Sequence, residues 1–203
     1  MYSEKVIQAI TDVRSASVPV DMQDFHVVVS NLVFMHQVIA ASESLMIEAQ
    51  KVADGPLLDY LTAHLAEEEG HEAWLAQDLS DYGIDVSAVP KFRKAAAMAG
   101  SQYYLIKHSS PYALLGYMAV LEGFPVSLAS VEALEAAHGK ELFRTLRYHA
   151  EHDLEHRKEL FSFINAHPKP EVLSSAIETA RYMNELSEDL QSGVLWDLIK
   201  DSQ

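Results

Sequence analysis

The chain has 203 residues, 49% of them apolar, no cysteine and a formal net charge of −15 with a pI near 4.9. That length and apolar share support one domain with a real core and exclude a disordered chain. The acidic balance makes nucleic acid and anionic membrane surfaces poor partners, and the missing thiols exclude disulfides, thiolate metal sites and a cysteine nucleophile.

Residues 1–20 read as a short amphipathic helix closed by Val18-Pro19, without the apolar stretch of a signal peptide. Asp21 is the expected N-cap of a long helix that runs to about Ala53. Asp54-Gly55-Pro56 is a turn with proline at the first position of the next helix, which is expected to continue to about Tyr82 with Gly83 just beyond its end. Ile84 to Pro90 is a loop, and a further helix covers Lys91 to His108. Ser109-Ser110-Pro111 opens a helix to about Ala137 that contains Gly123-Phe124-Pro125, so a kink is expected near Glu122. Gly139 precedes a helix over Lys140–Ala166, and His167-Pro168-Lys169-Pro170 precedes the last, Glu171 to near Ile199. The pattern predicts an all-α, single-domain bundle over residues 1–203 with seven helices and no strand. The longest apolar run, Tyr112 to Leu121, is too short to cross a bilayer, and a cytoplasmic protein without a membrane partner is expected.

Two segments carry metal-ligand spacing. At about 100° per residue, His64, Glu68 and His71 share one helix face, as do His149, Asp153 and His156 on another helix. Glu68-x-x-His71 and Asp153-x-x-His156 thus repeat a carboxylate–histidine pair one turn apart. Glu122 follows the apolar run Tyr112 to Leu121, and a carboxylate in such company is costly to bury unless paired or metal-bound. Imidazole and carboxylate donors suit iron or manganese. Each element also has a plain reading. Glu67, Glu68 and Glu69 form an acidic run that solvates readily, Glu122 suits a capping or ion-pair role, and His152 and Glu155 are expected on the surface.

The order Glu68-x-x-His71, Glu122, His149-x-x-x-Asp153-x-x-His156 resembles the haem-oxygenase-like diiron oxidases and oxygenases. These share a seven-helix fold with haem oxygenase, the TenA thiaminases and the pyrroloquinoline-quinone synthesis oxidase. The resemblance runs over the whole chain in length and helix order. It implies two iron ions held by Glu68, His71, Glu122, His149, Asp153 and His156, with manganese as an alternative metal. In some members the first carboxylate stands seven residues before the histidine, where this chain has His64, so His64 and Glu67 are rivals to Glu68. Ferritin-like diiron bundles offer a second pattern, which would draw on Glu43 or Glu48. Asp in place of Glu in the last pair, the in-register His149 and the intervening helix favour the first.

The resemblance implies a dioxygen-dependent oxidoreductase acting on a small amine, amino acid or fatty acid by N-oxygenation, desaturation or oxidative C–C cleavage, and a homodimer by analogy. The expected hydrogen-bonding support for the imidazoles comes from His64, His152 and Tyr117. The substrate wall would be Phe34, Met35, Tyr112 and Met118, and a substrate carboxylate would be met by Arg144, Arg147, Arg157 or Lys107. Haem oxygenase itself would need His26 or His36 as proximal ligand and leaves the carboxylates without a role. The alternatives are a metal-independent enzyme of the TenA or pyrroloquinoline-quinone type and a non-catalytic metal-binding helical protein.

Overall fold

A computed structural model describes residues 1–203, and the chain is helical throughout. Ten α-helices form: α1 (Tyr2–Arg14), α2 (Phe25–Gln50), α3 (Gly55–Glu68), α4 (His71–Ser80), α5 (Arg93–His108), α6 (Ala113–Leu121), α7 (Leu128–His138), α8 (Arg144–Ala166), α9 (Pro170–Ser192) and α10 (Val194–Ser202). A 3-10 turn, Lys140–Phe143, leads into α8.

The expected count of seven is corrected because three of the expected helices are each broken in two. The first breaks at Glu69-Gly70, where Gly70 adopts φ +89° and its N–H donates to Glu43 Oε1 at 3.0 Å. The second breaks after Glu122. Pro125 cannot continue a helix, so the expected kink is a full turn over residues 123–127. The third breaks at Gly193, φ +77°.

The long helix α2 is apolar on nearly every side, and Val28, Val29, Leu32, Val33 and Leu45 are fully or almost fully buried. It alone has the length and hydropathy of a membrane span, and half of that stretch is buried inside the protein, as a core helix must be. Its N-cap is Asp24, which accepts from His26 N–H at 2.8 Å; Asp21, the expected cap, instead accepts from Gln23 N–H in the preceding turn. α6 is buried from Ala113 to Val120 and lies tight against α9. Gly116 permits that approach, since a Cβ there would stand 2.2 Å from the Val172 carbonyl oxygen.

Two buried polar side chains fix the frame around the site. Gln37 donates to the Pro90 carbonyl and accepts from Phe92 N–H, which fastens the loop before α5 onto α2. Asp78 on α4 accepts from the Thr145 backbone N–H, the Thr145 hydroxyl and Arg144 Nε at 2.7–2.8 Å. The first of these satisfies a free N-terminal N–H of α8, and together they lock α8 to α4. α8 therefore presents His149, Asp153 and His156 to the ends of α3 and α6 in a fixed register.

Candidate metal centre

The structure brings the eight sequence candidates to one place. Glu68 and His71 face each other across the α3–α4 break, with Glu68 Oε2 3.1 Å from His71 Nδ1. The expected continuous helix is absent there, so their contact comes from the turn at Gly70 instead of from helical phase. Glu122, at the C-terminal end of α6, lies 3.3 Å from His64 Nε2. From α8, His149 stands 5.1 Å from His71 ring to ring, and His156 stands 5.3 Å from His64. His64 and His71 are each only 3% exposed, so neither is a solvated surface histidine.

Two groups in this cluster have donors close enough to hold one ion each. His64, Glu122 and His156 form the first; Glu68, His71 and His149 form the second; within each, the donor atoms lie within 4.8 Å of one another. Each group is two imidazoles and one carboxylate, a donor set that leaves coordination positions free. Glu68 reaches both, because its Oε1 is 3.3 Å from His156 Nδ1. Glu67 is 54% exposed and touches the other nitrogen of His156 at 3.4 Å, at the rim. Asp153 falls in neither group. Its Oδ1 is 3.0 Å from His149 Nδ1, an arrangement that fixes the ring and leaves Nε2 free.

Two buried atoms of the cluster, Glu122 Oε2 and His149 Nε2, have no hydrogen-bond partner, and His156 Nδ1 has only the Glu68 carboxylate beside it. Buried polar atoms are nearly always partnered, and each one left alone costs about 1–3 kcal/mol. Two together in a cluster of imidazoles and carboxylates fit bound cations.

The site's charges are strongly coupled. Burial would raise the Glu68 pKa, but the hydrogen bond from His156 and the charges of His149, His71 and His64 hold it at about 2. The Glu68 hydrogen bond lifts His156 to about 9 against the opposing effect of burial. Burial disfavours charge on His64 and His149 as well, yet Glu122 beside the first and Asp153 beside the second outweigh it, and both pKa values are raised. For His71, burial prevails over the attraction of Glu68 and the pKa is lowered.

A cavity of about 500 Å³ opens onto the cluster, which contributes His64, Glu68, Glu122, His149 and Asp153 to its wall. Phe34, Met35 and Met118 line it as the sequence suggested; Tyr112 does not, and packs near His167 and Lys169 instead. Of the expected hydrogen-bonding supports, His64 belongs to the cluster itself. Tyr117 lines the cavity with its hydroxyl 2.8 Å from Ser42 Oγ, and the exposed His152 bonds the Tyr148 carbonyl.

None of the four basic residues singled out for a substrate carboxylate lines the cavity. Arg144 is held by Asp78 and Asp81, Arg147 by Glu135, Lys107 by Glu48, and Arg157 lies over the Phe161 ring. The cavity's one lysine or arginine is Arg14 on α1, which no sequence spacing pointed to. His26 stacks on Trp196 and His36 lies 3.5 Å from Glu72, both away from the cavity. Glu48 pairs with Lys51 and Lys107, which leaves Glu43 alone of the two ferritin-type candidates beside the cavity.

No curated protein matches the chain. Among solved structures, a domain of unknown function with a heme oxygenase-like fold from Shewanella denitrificans superposes with a TM-score of 0.54 at 18% identity, covering 98% of this chain and 88% of that one. The fold is therefore heme oxygenase-like. Residues 29–188 match the family model described as iron-containing redox enzyme, a span that takes in every residue of the cluster. On that match the chain belongs to the iron-containing redox enzyme family, and it is an oxidoreductase by family.

Proposed function

We propose that this oxidoreductase holds two iron ions between α3, α4, α6 and α8 and oxidises a small molecule with dioxygen. His64, Glu122 and His156 would hold one ion, and Glu68, His71 and His149 the other, with Glu68 shared. Iron bound there supplies the redox chemistry that activates dioxygen. Manganese suits the same donors. The observation that carries this reading is the pairing of two His₂-carboxylate groups with one carboxylate reaching both.

The chain's own groups do the rest. Asp153 accepts the proton side of His149 Nδ1 and so directs Nε2 into the cluster. Glu68 and Glu122 offset the charge of the ions. Phe34, Met35 and Met118 keep the approach apolar, which excludes water and places a substrate carbon chain beside the cluster. The Tyr117 hydroxyl at the cavity wall is tied to Ser42 Oγ. A metal-independent reaction would leave Glu122 Oε2 and His149 Nε2 buried and unpartnered, and for that reason it is the weaker reading.

Anaerobic addition of Fe(II) to the metal-free protein tests this directly. Two irons per chain are expected, followed by dioxygen consumption on exposure to air. A chain that takes up no iron refutes the proposal. Uptake without any dioxygen consumption would mean that the metal is stored or structural.

A further inference from the structure

His71 carries two aromatic neighbours that have no part in holding metal or substrate. Trp74 on α4 lies against the imidazole with ring centres 4.2 Å apart, and Tyr148 on α8 meets the same ring edge to face at 5.4 Å. Trp74 and Tyr148 also touch each other edge to face, at 5.2 Å, within the range of aromatic contact. His71 is only 3% exposed, whereas Trp74 is 45% and Tyr148 37% exposed. The pair therefore spans from a candidate ligand to water. His152 stacks on Tyr148 at 4.1 Å and bonds its carbonyl, which steadies the ring. Other aromatic rings near the cluster do not lead outward in this way. Tyr60 stacks on His64, but its hydroxyl is buried without a partner, and its next ring is Phe163, which gives up an electron far less readily than indole or phenol. Tyr117 is fully buried. The second of the two tryptophans, Trp196, stacks on His26 away from the cavity.

We propose that Trp74 and Tyr148 form a one-electron relay that drains oxidising equivalents from the metal centre to the protein surface when dioxygen reacts with no substrate in the cavity. The relay rests on the iron and dioxygen reading above. The oxidised centre takes one electron from the Trp74 indole, through its contact with His71. Tyr148 refills the indole; its phenol loses one electron and releases its proton to water. A soluble one-electron reductant of the ascorbate or thiol class then returns a hydrogen atom to the phenoxyl oxygen and is itself oxidised. The imidazole ligands are thereby spared. Indole and phenol are the readiest one-electron donors in a chain without cysteine. Electron transfer weakens steeply with distance, so rings in contact carry it and the separate Trp196 does not.

Flash oxidation of the metal-free Trp196→Phe protein by azide radical tests the relay without iron. Trp74 is then the sole indole, and its radical absorption is expected to give way to that of a phenoxyl at a rate independent of protein concentration. Tyr148→Phe should abolish that exchange. In a second experiment, protein loaded with Fe(II) without air is mixed with dioxygen in the absence of substrate and frozen for electron paramagnetic resonance. A tyrosyl radical is expected, identified by narrowing with ring-deuterated tyrosine and quenched by ascorbate. Tyr148→Phe should shift the radical to a tryptophan, Trp74→Phe should abolish it, and Trp74→Tyr should restore it. Both side chains are exposed, so the variants should fold and take up iron as wild type does. Peptide mass analysis after repeated exposure to air without reductant should find added oxygen on Trp74 and Tyr148 but none on Trp196; in Trp74→Phe it should move to His71. A packing role alone would alter iron affinity and produce no radical. The inference is overturned if iron-loaded wild type consumes dioxygen without forming a radical on either residue, if Trp74→Phe retains the radical, or if Tyr148→Phe leaves the flash-induced exchange unchanged. A protein that passes the electron from Tyr148 to Trp74 in the flash experiment but takes up no iron would refute the iron reading alone.

Discussion

Glu68 Oε1 lies 3.3 Å from His156 Nδ1, across the gap between α3 and α8. The other oxygen of the same carboxylate is 3.1 Å from His71. One side chain thus joins both histidine groups, and the exposed Glu67 cannot replace it from the rim. Glu68→Gln keeps the size and one oxygen but removes the charge that both groups share. It should lower bound iron from two per chain to one or fewer, whereas Glu67→Gln should leave the count unchanged. Colorimetric iron analysis after desalting reads both; equal losses in the two variants would show that the acidic run acts as a diffuse charge.

The same pair governs stability against pH in the metal-free protein. His156 is raised from an ordinary 6.5 to about 9, so its contribution is complete below about 6.5 and is lost as pH rises through about 9. Glu68 is lowered from 4.5 to about 2, so its contribution is complete above about 4.5 and is lost as pH falls through about 2. The pair therefore supports the metal-free fold most between about pH 4.5 and 6.5. The melting temperature should decline from pH 7 to 9, and decline less in Glu68→Gln, where His156 has lost its partner. A metal ion replaces the proton on His156, so the stabilisation by Mn(II) should grow over the same interval. A metal-free melting temperature that rises between pH 7 and 9 would contradict this account.

Much of this was legible in the sequence, and the limits have physical causes. Helical spacing states which residues share a face, and that was enough to collect His149, Asp153 and His156 and to mark His64 beside Glu68. It does not state where a helix breaks. The turn at Glu69-Gly70 depends on Glu43, 27 positions away, accepting the Gly70 N–H, and no local pattern carries that. Spacing also cannot rank ligands. Asp153 reads as an equal member of its triplet, yet in the structure it turns back along α8 to His149. Arg14 was invisible for the same reason: its place at the cavity arises from how α1 packs, not from any motif around it.

The position of Asp153 separates an orienting role from a ligating one. Asp153→Asn should weaken iron binding about 10- to 100-fold, as loss of a partner that orients a ligating histidine does, and still reach two irons per chain at saturation. His152→Ala should change neither, because that ring is exposed and bonds only the Tyr148 carbonyl. A competition titration against a chelator of known affinity gives both constants. Saturation of Asp153→Asn at one iron would make Asp153 a ligand, as its spacing in the sequence suggested.

Three glycines should respond to alanine in three different ways. At Gly70 a Cβ meets nothing within 4 Å, so only the backbone conformation, φ +89°, resists it. That costs about 1–2 kcal/mol. The melting temperature should fall by about 2–4 °C per kcal/mol in a chain of this size. Because Glu68 and His71 flank this turn, iron affinity should fall with it. At Gly116 the Cβ would stand 2.2 Å from the Val172 carbonyl oxygen, and α6 must move off α9. Gly116→Ala should therefore be the most destabilising of the three, and should loosen Glu122 at the end of α6. Gly100, inside α5, has a helical φ and open space around its Cβ position. Gly100→Ala should raise stability by about 0.4–1 kcal/mol through the unfolded chain and leave iron binding as it is. Thermal unfolding of the three metal-free variants, followed by iron titration, ranks them; a Gly70→Ala protein as stable and as tight for iron as wild type would show that the break between α3 and α4 does not set the site.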